Sequence, residues 1–336
     1  MKKLYSFIYF ICFSLLLGAC IDAVNLPIRD ESGKLVVEGL ISNAPPPYTI
    51  ILSTSVTYES GSVVARLPNP LSGVSVAVLD DMGNREVFKE TINGQYKNTA
   101  NGMRGQVGRS YQLEVIMPDG RKFVSIAEKL MAVSPIDSVT SEYSKVLKGH
   151  SFYVNTHDPR GERNYYRWTT YGIGSLQVSP VSNPSPASCS PFCWQYIENK
   201  TLNLLSDEFI DGNQIQKQKV FFAPYVSQSD FYLEVNQSSI SKDAFRYLQL
   251  LEDQRNRTGS IFDPPPASIL GNIYNANDSK EIALGYFIVS GVSRKRIIIK
   301  RTGLSDRLPM PIPLAFVGKC CDVYFGTSQA IPPWRD

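Results

Sequence analysis

Short runs of β-branched and aromatic residues, each bounded by turn residues, recur along the chain from Leu35 onward. Within runs such as YQLEVIM, apolar and polar residues alternate, and a period of two is typical of a strand with one buried face. Turn signals such as DMGN at residues 81–84 separate the runs. About seven short strands in a hundred residues are typical of a β-sandwich. We therefore predict a mainly β fold whose first domain, residues 35–134, is an immunoglobulin-like or prealbumin-like sandwich.

The strand pattern continues after the segment PIDS at residues 135–138, which marks the predicted domain boundary. Further runs, among them SFYVNTHD, QKVFFAPY and IALGYFIVS, are again separated by turns, and a loop rich in proline and serine interrupts them at residues 179–191. We predict a second β-rich, sandwich-like domain over residues 135–336.

One segment of this second domain has a helical period. Ser241 can cap a helix, and Ala244, Leu248 and Leu251 then fall on one face because an α-helix completes a turn every 3.6 residues. The pattern predicts one inserted helix over about residues 241–257.

The N-terminal segment has the character of a signal peptide. Lys2 and Lys3 are positively charged, and the apolar run Leu4–Leu17 that follows carries no charge. As a helix this run would span roughly 21 Å, which is shorter than the ~30 Å hydrocarbon core of a bilayer. It is typical of the apolar region of a signal peptide.

Small residues and a cysteine follow this run, in the order LGAC at residues 17–20. The order resembles the bacterial lipobox, a signal at which the cysteine thiol receives lipid, the peptide is cut before the cysteine and the new amine is acylated. It predicts a lipoprotein signal peptide over residues 1–19 and lipidation of Cys20. Residues 20–34 would then be a tether between the lipid and the first domain. An ordinary secretory signal with a cysteine near its cleavage site is the alternative.

The charge of the chain is close to balanced. The formal net charge is +3, and loss of Lys2 and Lys3 with the signal peptide lowers it to +1. Nucleic-acid-binding surfaces are strongly basic, so nucleic acid is not an expected partner. After the signal peptide, no stretch approaches the roughly eighteen apolar residues of a membrane span, and the lipid is the predicted attachment to the membrane.

Six cysteines occur in the chain. Cys12 would leave with the signal peptide and Cys20 would carry lipid, which leaves an even number, as expected for disulfides in an exported protein. Four cysteines allow three connectivities, and two bridges between a middle loop and the C-terminal segment are favoured. A zinc site with four thiolates is the alternative, although its spacing here is poor. The four cysteines are Cys189, Cys193, Cys320 and Cys321.

Motifs for catalysis or cofactor binding are not found in the sequence. The chain has two histidines, His150 and His157, and neither belongs to an HExxH motif. His157 precedes Asp158 and could be drawn as part of a hydrolase dyad, but no GxSxG nucleophile motif accompanies it. A histidine in a solvated turn is the favoured interpretation. We predict no catalytic residue, no metal and no cofactor.

The run RNYYRW is the first candidate for binding. As a strand it would place Tyr165 and Arg167 on one face, in line with Arg163, and Tyr166 and Trp168 on the other. Arginine and aromatic residues are common at interfaces, so the first face could contact a ligand or a partner. Ordinary strand packing with a cation–π contact is the alternative.

The run GSIFDPPPASILGN is the second candidate. A triple proline is already ordered and is cheap to immobilise on binding, so Phe262, Pro264, Pro265 and Pro266 could form a rigid docking edge. A rigid connector between the helix and the next strand is the alternative.

Several sequence blocks occur in an informative order: LVVEGLIS, NGQY, GQVGRSYQLEV, PIDSV, NYYRW, SISKDAFRYLQLLEDQ, GSIFDPPPASILGNI, LGYFIVS and a terminal PPW. This order resembles that of the Bacteroidota outer-membrane lipoproteins grouped as domain-of-unknown-function family 4249. The resemblance covers the whole mature chain and implies a lipoprotein often encoded beside a TonB-dependent outer-membrane receptor. It supplies no catalytic residues. Ser138 in DSV also resembles the O-glycosylation acceptor of exported proteins of that phylum.

The favoured function is an outer-membrane lipoprotein, at the periplasmic face or the cell surface, that acts as a binding or accessory module for a TonB-dependent transporter in nutrient uptake. An extracellular hydrolase with an unrecognised site and a structural adhesin or stalk subunit are the alternatives. The hydrolase would need a cleft with carboxylates of perturbed pKa, and the adhesin would need repeats or a donor strand.

Overall fold

The structure is a computed structural model, and it describes residues 33–56, 68–179, 192–199, 201–256, 269–304, 312–313, 321, 327–328 and 330–334. Several predicted features lie outside these residues: the signal peptide 1–19, nearly all of the tether 20–34, Cys20, Cys189, Cys320, Phe262, Pro264, Pro265 and Pro266. Among the residues described, no helix has both the length and the apolar character needed to cross a bilayer.

Strands dominate the described chain, which confirms the prediction of a mainly β fold. The strands are β1 (Leu35–Ser42), β2 (Thr49–Thr54), β3 (Asn69–Pro70), β4 (Ser75–Asp80), β5 (Arg85–Ile92), β6 (Gln95–Lys97), β7 (Ser110–Ile116), β8 (Lys122–Ser125), β9 (Glu128–Lys129), β10 (Ile136–Ser144), β11 (Gly149–His157), β12 (Tyr165–Ser179), β13 (Phe192–Glu198), β14 (Asn203–Ser206), β15 (Gln214–Pro224), β16 (Phe231–Ser239), β17 (Ile273–Asn275), β18 (Leu284–Ile299), β19 (Ile312–Pro313) and β20 (Thr327–Ser328). The helix in the described part of the chain, α1, is Lys242–Arg255.

The first sandwich packs two sheets around one apolar core. One sheet contains β1, β2, β3 and β6, the other contains β4, β7, β8, β9 and β17, and β5 pairs with a strand of each. Alternate side chains point inward, such as Val37 and Ile50 from the first sheet and Val76 and Leu113 from the second, and these are fully buried. The alternation in the sequence is that of strands with one face in a core.

β18 belongs to both halves of the molecule. Residues 284–290 run parallel to residues 36–42 of β1, and Phe287 is buried in the first core. Residues 291–299 then pair antiparallel with β16, which pairs with β12. The strands β2, β1, β18, β16 and β12 therefore form one continuous sheet across both sandwiches. The first core thus draws on strands from beyond the predicted boundary at residue 135.

The second sandwich has a small second sheet. β10, β11 and β15 form a three-stranded sheet, which covers one face of β12, β16 and β18. Trp168, Leu233 and Val235 from that face meet Phe152 and Phe221 from the small sheet in a single buried cluster. The core lies between the two sheets, so the other face of β12, β16 and β18 is left for α1.

α1 lies over this opposite face of the continuous sheet. The side chain of Ser241 caps the helix by accepting a hydrogen bond from the backbone N–H of Ala244. Ile240 and Phe245, on either side of the cap, belong to one apolar cluster, as in a hydrophobic staple. Ala244 and Leu248 are buried. The predicted helix is confirmed to within two residues at each end.

Candidate functional site

A cavity of about 780 Å³ lies between the continuous sheet and α1. Its floor is formed by β2, β1, β18, β16 and β12, and its roof is one side of α1 together with Ile269. Cavities of this size are typical of sites that bury a small organic ligand. We take it as the candidate functional site of the described part of the chain.

The floor is largely apolar because β1 carries apolar residues on both of its faces. Val37 and Ile41 point into the first core, whereas Val36 and Leu40 line the cavity. Leu40 and Ile51, a residue of β2 that lies opposite Glu38, are each 38% exposed. Strands that are apolar on both faces are expected where both faces are covered, and here the second cover is incomplete.

The roof comes from one side of α1, which contributes Tyr247, Leu248, Leu251 and Gln254. The ring of Tyr247 packs against that of Tyr286 on the floor, with centroids 4.9 Å apart. Burial, followed by the charge of Glu38, raises the pKa of Tyr247 above its ordinary value. The roof at neutral pH is therefore an uncharged surface with one phenol hydroxyl.

Arg167 brings a positive charge to the cavity. It lies on β12 between Tyr166 and Trp168, which are buried in the second core, so strand alternation turns Arg167 toward the cavity. Its Nε atom is buried without a hydrogen-bond partner, and no carboxylate of the described residues pairs with it. Burial lowers the pKa of the guanidinium, which still remains charged at neutral pH. A buried charge of this kind is costly unless something pairs with it.

Two serines of the floor lie on the two strands that follow β12 in the sheet, β16 and β18. Ser238 on β16 is directly opposite Arg167, and Ser290 on β18 lies two residues before Val292, the residue opposite Ser238. All three side chains line the cavity. The hydroxyl of Ser290 is buried and has no hydrogen-bond partner within the described ranges. We call Arg167, Ser238 and Ser290 the polar patch.

Glu38 lines the same cavity but lies far from the polar patch. It is on β1, three strands away from β12, which corresponds to about 14 Å at the usual spacing of strands. Its side chain is exposed, so its carboxylate keeps contact with water, whereas Arg167 is largely removed from water. The two charges therefore do not compensate each other.

The structure separates the three residues that the sequence grouped on one strand face. Tyr165 shares a face of β12 with Arg167, but it is buried beneath α1, where its ring packs on Phe245 with centroids 5.0 Å apart. Arg163 is exposed in the loop before β12. Of the three, Arg167 lines the cavity. The helix removes Tyr165 from any surface open to a partner protein.

Sequence reasoning missed most of the cavity, although one signal was available. The run LVVEGLI of β1 is apolar at nearly every position, which indicates a strand covered on both faces. Ser238 and Ser290 give no comparable signal because serine is ordinary in a strand. Their place on the same floor as Arg167 results from the pairing of three strands that are distant in the sequence.

The structure joins Cys193 and Cys321 in a disulfide. Cys189 and Cys320 lie outside the described residues, so the second bridge stays a prediction. A zinc site with four thiolates would need the sulfur atoms that this bond uses. The bond ties β13 to the C-terminal segment, where the ring of Trp334 lies 4.8 Å from the guanidinium of Arg296.

His157 and Asp158 do not form a dyad. The exposed ring of His157 contacts Asp137 through Nδ1 at 2.5 Å and Gln214 through Nε2 at 2.8 Å. Asp158 is buried and accepts hydrogen bonds from the hydroxyl of Tyr166 and from a backbone N–H. The two side chains therefore have separate partners.

Ser138 lies on β10 at the predicted boundary and is half-buried. Its hydroxyl accepts a hydrogen bond from Nδ2 of Asn155 at 2.9 Å. Glycosylation at Ser138 stays a prediction, and it would require this hydrogen bond to break.

Three carboxylates, those of Asp158, Asp207 and Asp211, have oxygen atoms within 4.8 Å of one another. Backbone N–H groups donate to all three, including that of Asn164 to Asp207 and that of Gly161 to Asp211. These bonds explain the cluster as a brace between two loops, and we assign no metal to it.

The fold and the cavity define a class of protein: two β-sandwiches that share a strand, with a ligand-sized cavity beneath a helix. The chain belongs to the family described as a domain of unknown function, DUF4249, whose profile matches residues 21–296. The matched segment contains every residue that lines the cavity. No curated protein matches the chain.

Proposed function

We propose that the protein is a binding module rather than an enzyme, that a lipid on Cys20 anchors it to the outer membrane, and that it serves a TonB-dependent transporter in nutrient uptake. The observation that carries the binding role is the cavity. Apolar walls with a few polar groups are the usual composition of a ligand site. The charge of Arg167 has no counter-ion in the described part of the chain, so a bound anion would satisfy it.

The lipid anchor is supported by the sequence LGAC at residues 17–20, which follows a charged and then an apolar segment. Several acyl chains together hold a protein durably on a bilayer. The first strand begins at Leu35, so residues 20–34 form a tether that would average roughly 20 Å and extend at most to about 50 Å. The cavity would remain close to the membrane surface.

A transporter partner is supported by the resemblance to Bacteroidota lipoproteins encoded beside TonB-dependent receptors. Anchoring in one plane raises the effective concentration of both partners, so a weak contact is well occupied. The contacts proposed for the receptor are the exposed Arg163 and residues 262–266, which lie outside the described ranges.

Affinity purification from detergent-solubilised outer membranes of the native host tests this function. The tagged protein is expected to bring down a TonB-dependent transporter, and a Cys20→Ser variant, which lacks the anchor, is expected to bring down much less. The proposal fails if repeated purifications contain no transporter and deletion of the gene leaves the uptake of every tested nutrient unchanged.

A further inference from the structure

We infer that the cavity binds a single-chain anionic amphiphile, with its acidic head on the polar patch and its hydrocarbon chain along the apolar floor. This inference rests on the proposed binding function and assigns the ligand class of the same site.

The head group must be an anion because the polar patch offers positive charge and donors. A guanidinium has five N–H donors and no acceptor, and its planar fork matches a carboxylate or phosphate. Nε of Arg167 and the hydroxyl of Ser290 are buried without partners in the part of the chain that the structure describes. The acidic residue of the cavity, Glu38, lies three strands away and is exposed, so it would not repel an anion at the patch.

The rest of the ligand must be apolar because apolar surface begins next to the patch. Ile288 lies two residues before Ser290 on the same face of β18 and is opposite Leu40 on β1. Ile51 on β2 lies diagonally across from Leu40 and directly opposite the exposed Glu38, and Leu251 of α1 adds apolar surface from the roof. A hydrocarbon chain that starts at the patch could follow the floor across β18 and β1, and each methylene removed from water favours binding.

The size of the cavity excludes smaller anions as the intended ligand. Inorganic phosphate or acetate could pair with Arg167 but would leave most of the 780 Å³ and its apolar floor uncovered. The chemistry fits two sources, a free fatty acid or a phospholipid with one acyl chain, because both combine an anionic head with one hydrocarbon chain.

The test compares dodecanoate with dodecanol, which have the same chain length and differ in charge. The chain from residue 20 onward, produced without the signal peptide and with Cys20→Ser, needs no detergent and is titrated by calorimetry below the micellar concentration of dodecanoate. We expect it to bind dodecanoate at least about tenfold more tightly than dodecanol, as a charge-assisted hydrogen bond would give. Arg167→Met should remove this preference. Arg246→Met, on the exposed side of α1, is the matched control and should keep it.

Two variants of α1 test where the hydrocarbon chain of the ligand binds. Leu251→Gln places a polar group in the roof of the cavity and should weaken the binding of both ligands at least about threefold. Leu250→Gln changes the neighbouring residue, which is 45% exposed and does not line the cavity, and should leave both affinities unchanged.

Mass spectrometry of lipids extracted from protein purified from the native host distinguishes the two sources. A free fatty acid or a single-chain phospholipid should be enriched on the parent relative to Arg167→Met. The inference is overturned if the parent binds neither ligand, binds both equally, or if Arg167→Met keeps the preference for dodecanoate. If a transporter still co-purifies in that case, the inferred ligand class is wrong, whereas the proposed function as a module of the transporter still stands.

Discussion

The hydroxyl of Tyr286 donates a hydrogen bond to the carboxylate of Glu128, which joins β18 to β9 of the first sandwich. The hydroxyl of Ser241, the N-cap of α1, donates to the same carboxylate oxygen. Glu128 is buried, so β9, β18 and the start of α1 meet on one acidic side chain. Because Tyr286 also lines the cavity, this contact fixes the helix above the floor.

The stability of this contact should depend on pH. Burial raises the pKa of Glu128 above its ordinary value. The contribution of Glu128 to stability is therefore fully present below its pKa in the unfolded chain, and it is lost as the pH rises through its pKa in the folded protein. Glu128→Gln keeps a neutral acceptor and removes the titration. We expect the parent to lose stability relative to Glu128→Gln as the pH rises, measured by urea unfolding from about pH 4 to about pH 8. Parallel stability curves would contradict this.

His150 should make the fold sensitive to acid. Burial, followed by the charge of Arg301, lowers the pKa of His150 to about 4, and its ring is packed beside Tyr143 and Phe152. The stability that the neutral ring of His150 contributes is present above the pKa of histidine in the unfolded chain, and it is lost as the pH falls toward 4. The free energy of unfolding of His150→Phe should therefore change less with pH between about 7 and about 4 than that of the parent. An unchanged slope would show that other groups cause the acid sensitivity.

Gln237 should contribute strongly to the stability of the second core. It is fully buried, and its amide accepts from the indole of Trp168 and donates to the carbonyl of Ser134 and the hydroxyl of Thr156. Gln237→Ala leaves these groups unpaired and should lower the free energy of unfolding by about 2–4 kcal/mol. Gln216→Ala, on the exposed side of β15, should change it by less than about 0.5 kcal/mol.

Removal of the Cys193–Cys321 bond should destabilise the protein. The bond spans a sequence separation of 128 residues, and closure of such a loop is worth about 4–5 kcal/mol in the chain-entropy model. We expect the free energy of unfolding of the double variant Cys193→Ala, Cys321→Ala to fall by up to that amount, measured in urea.

Alkylation of unreduced protein followed by mass spectrometry tests both predicted bridges. It should detect no free thiol, and labelled cysteines would refute the two predicted bridges.

Cys20 should carry the lipid. A cell fed a clickable palmitate analogue should label the parent protein, and Cys20→Ser should accumulate as an unlabelled precursor. Labelling that persists in Cys20→Ser would assign the lipid to another residue and contradict this prediction.

Local features of the fold could be predicted because local residues determine them. The helix was placed correctly because Ser241 supplies its own cap and Ala244 and Leu248 supply its own apolar face. The strands were recognised from alternation, which each run carries within itself. None of these features depends on knowing a distant partner.

The cavity could not be predicted because its parts are brought together by distant pairing. Arg167 faces the cavity because Tyr166 and Trp168 face the second core, and the sequence alone does not say which face is the core. Ser290 reaches the polar patch through the pairing of β18 with β16 and β1. A run such as LGYFIVS gives no sign that it completes a sheet begun by β1.

The shared strand β18 also means that the edge of β1 stays unpaired until nearly the whole chain has been made. Asn43, directly after β1, bonds to the backbone of Val292, which is 249 residues further along the chain. The N-terminal half of a chain emerges first, both from the ribosome and through an export channel, so β1 is exposed before the strand that pairs with its edge has appeared. An open strand edge is a template for wrong pairing between chains. The first sandwich, although made first, is therefore completed among the last parts of the molecule, and its β1 edge is the place where newly made chains are most exposed to aggregation.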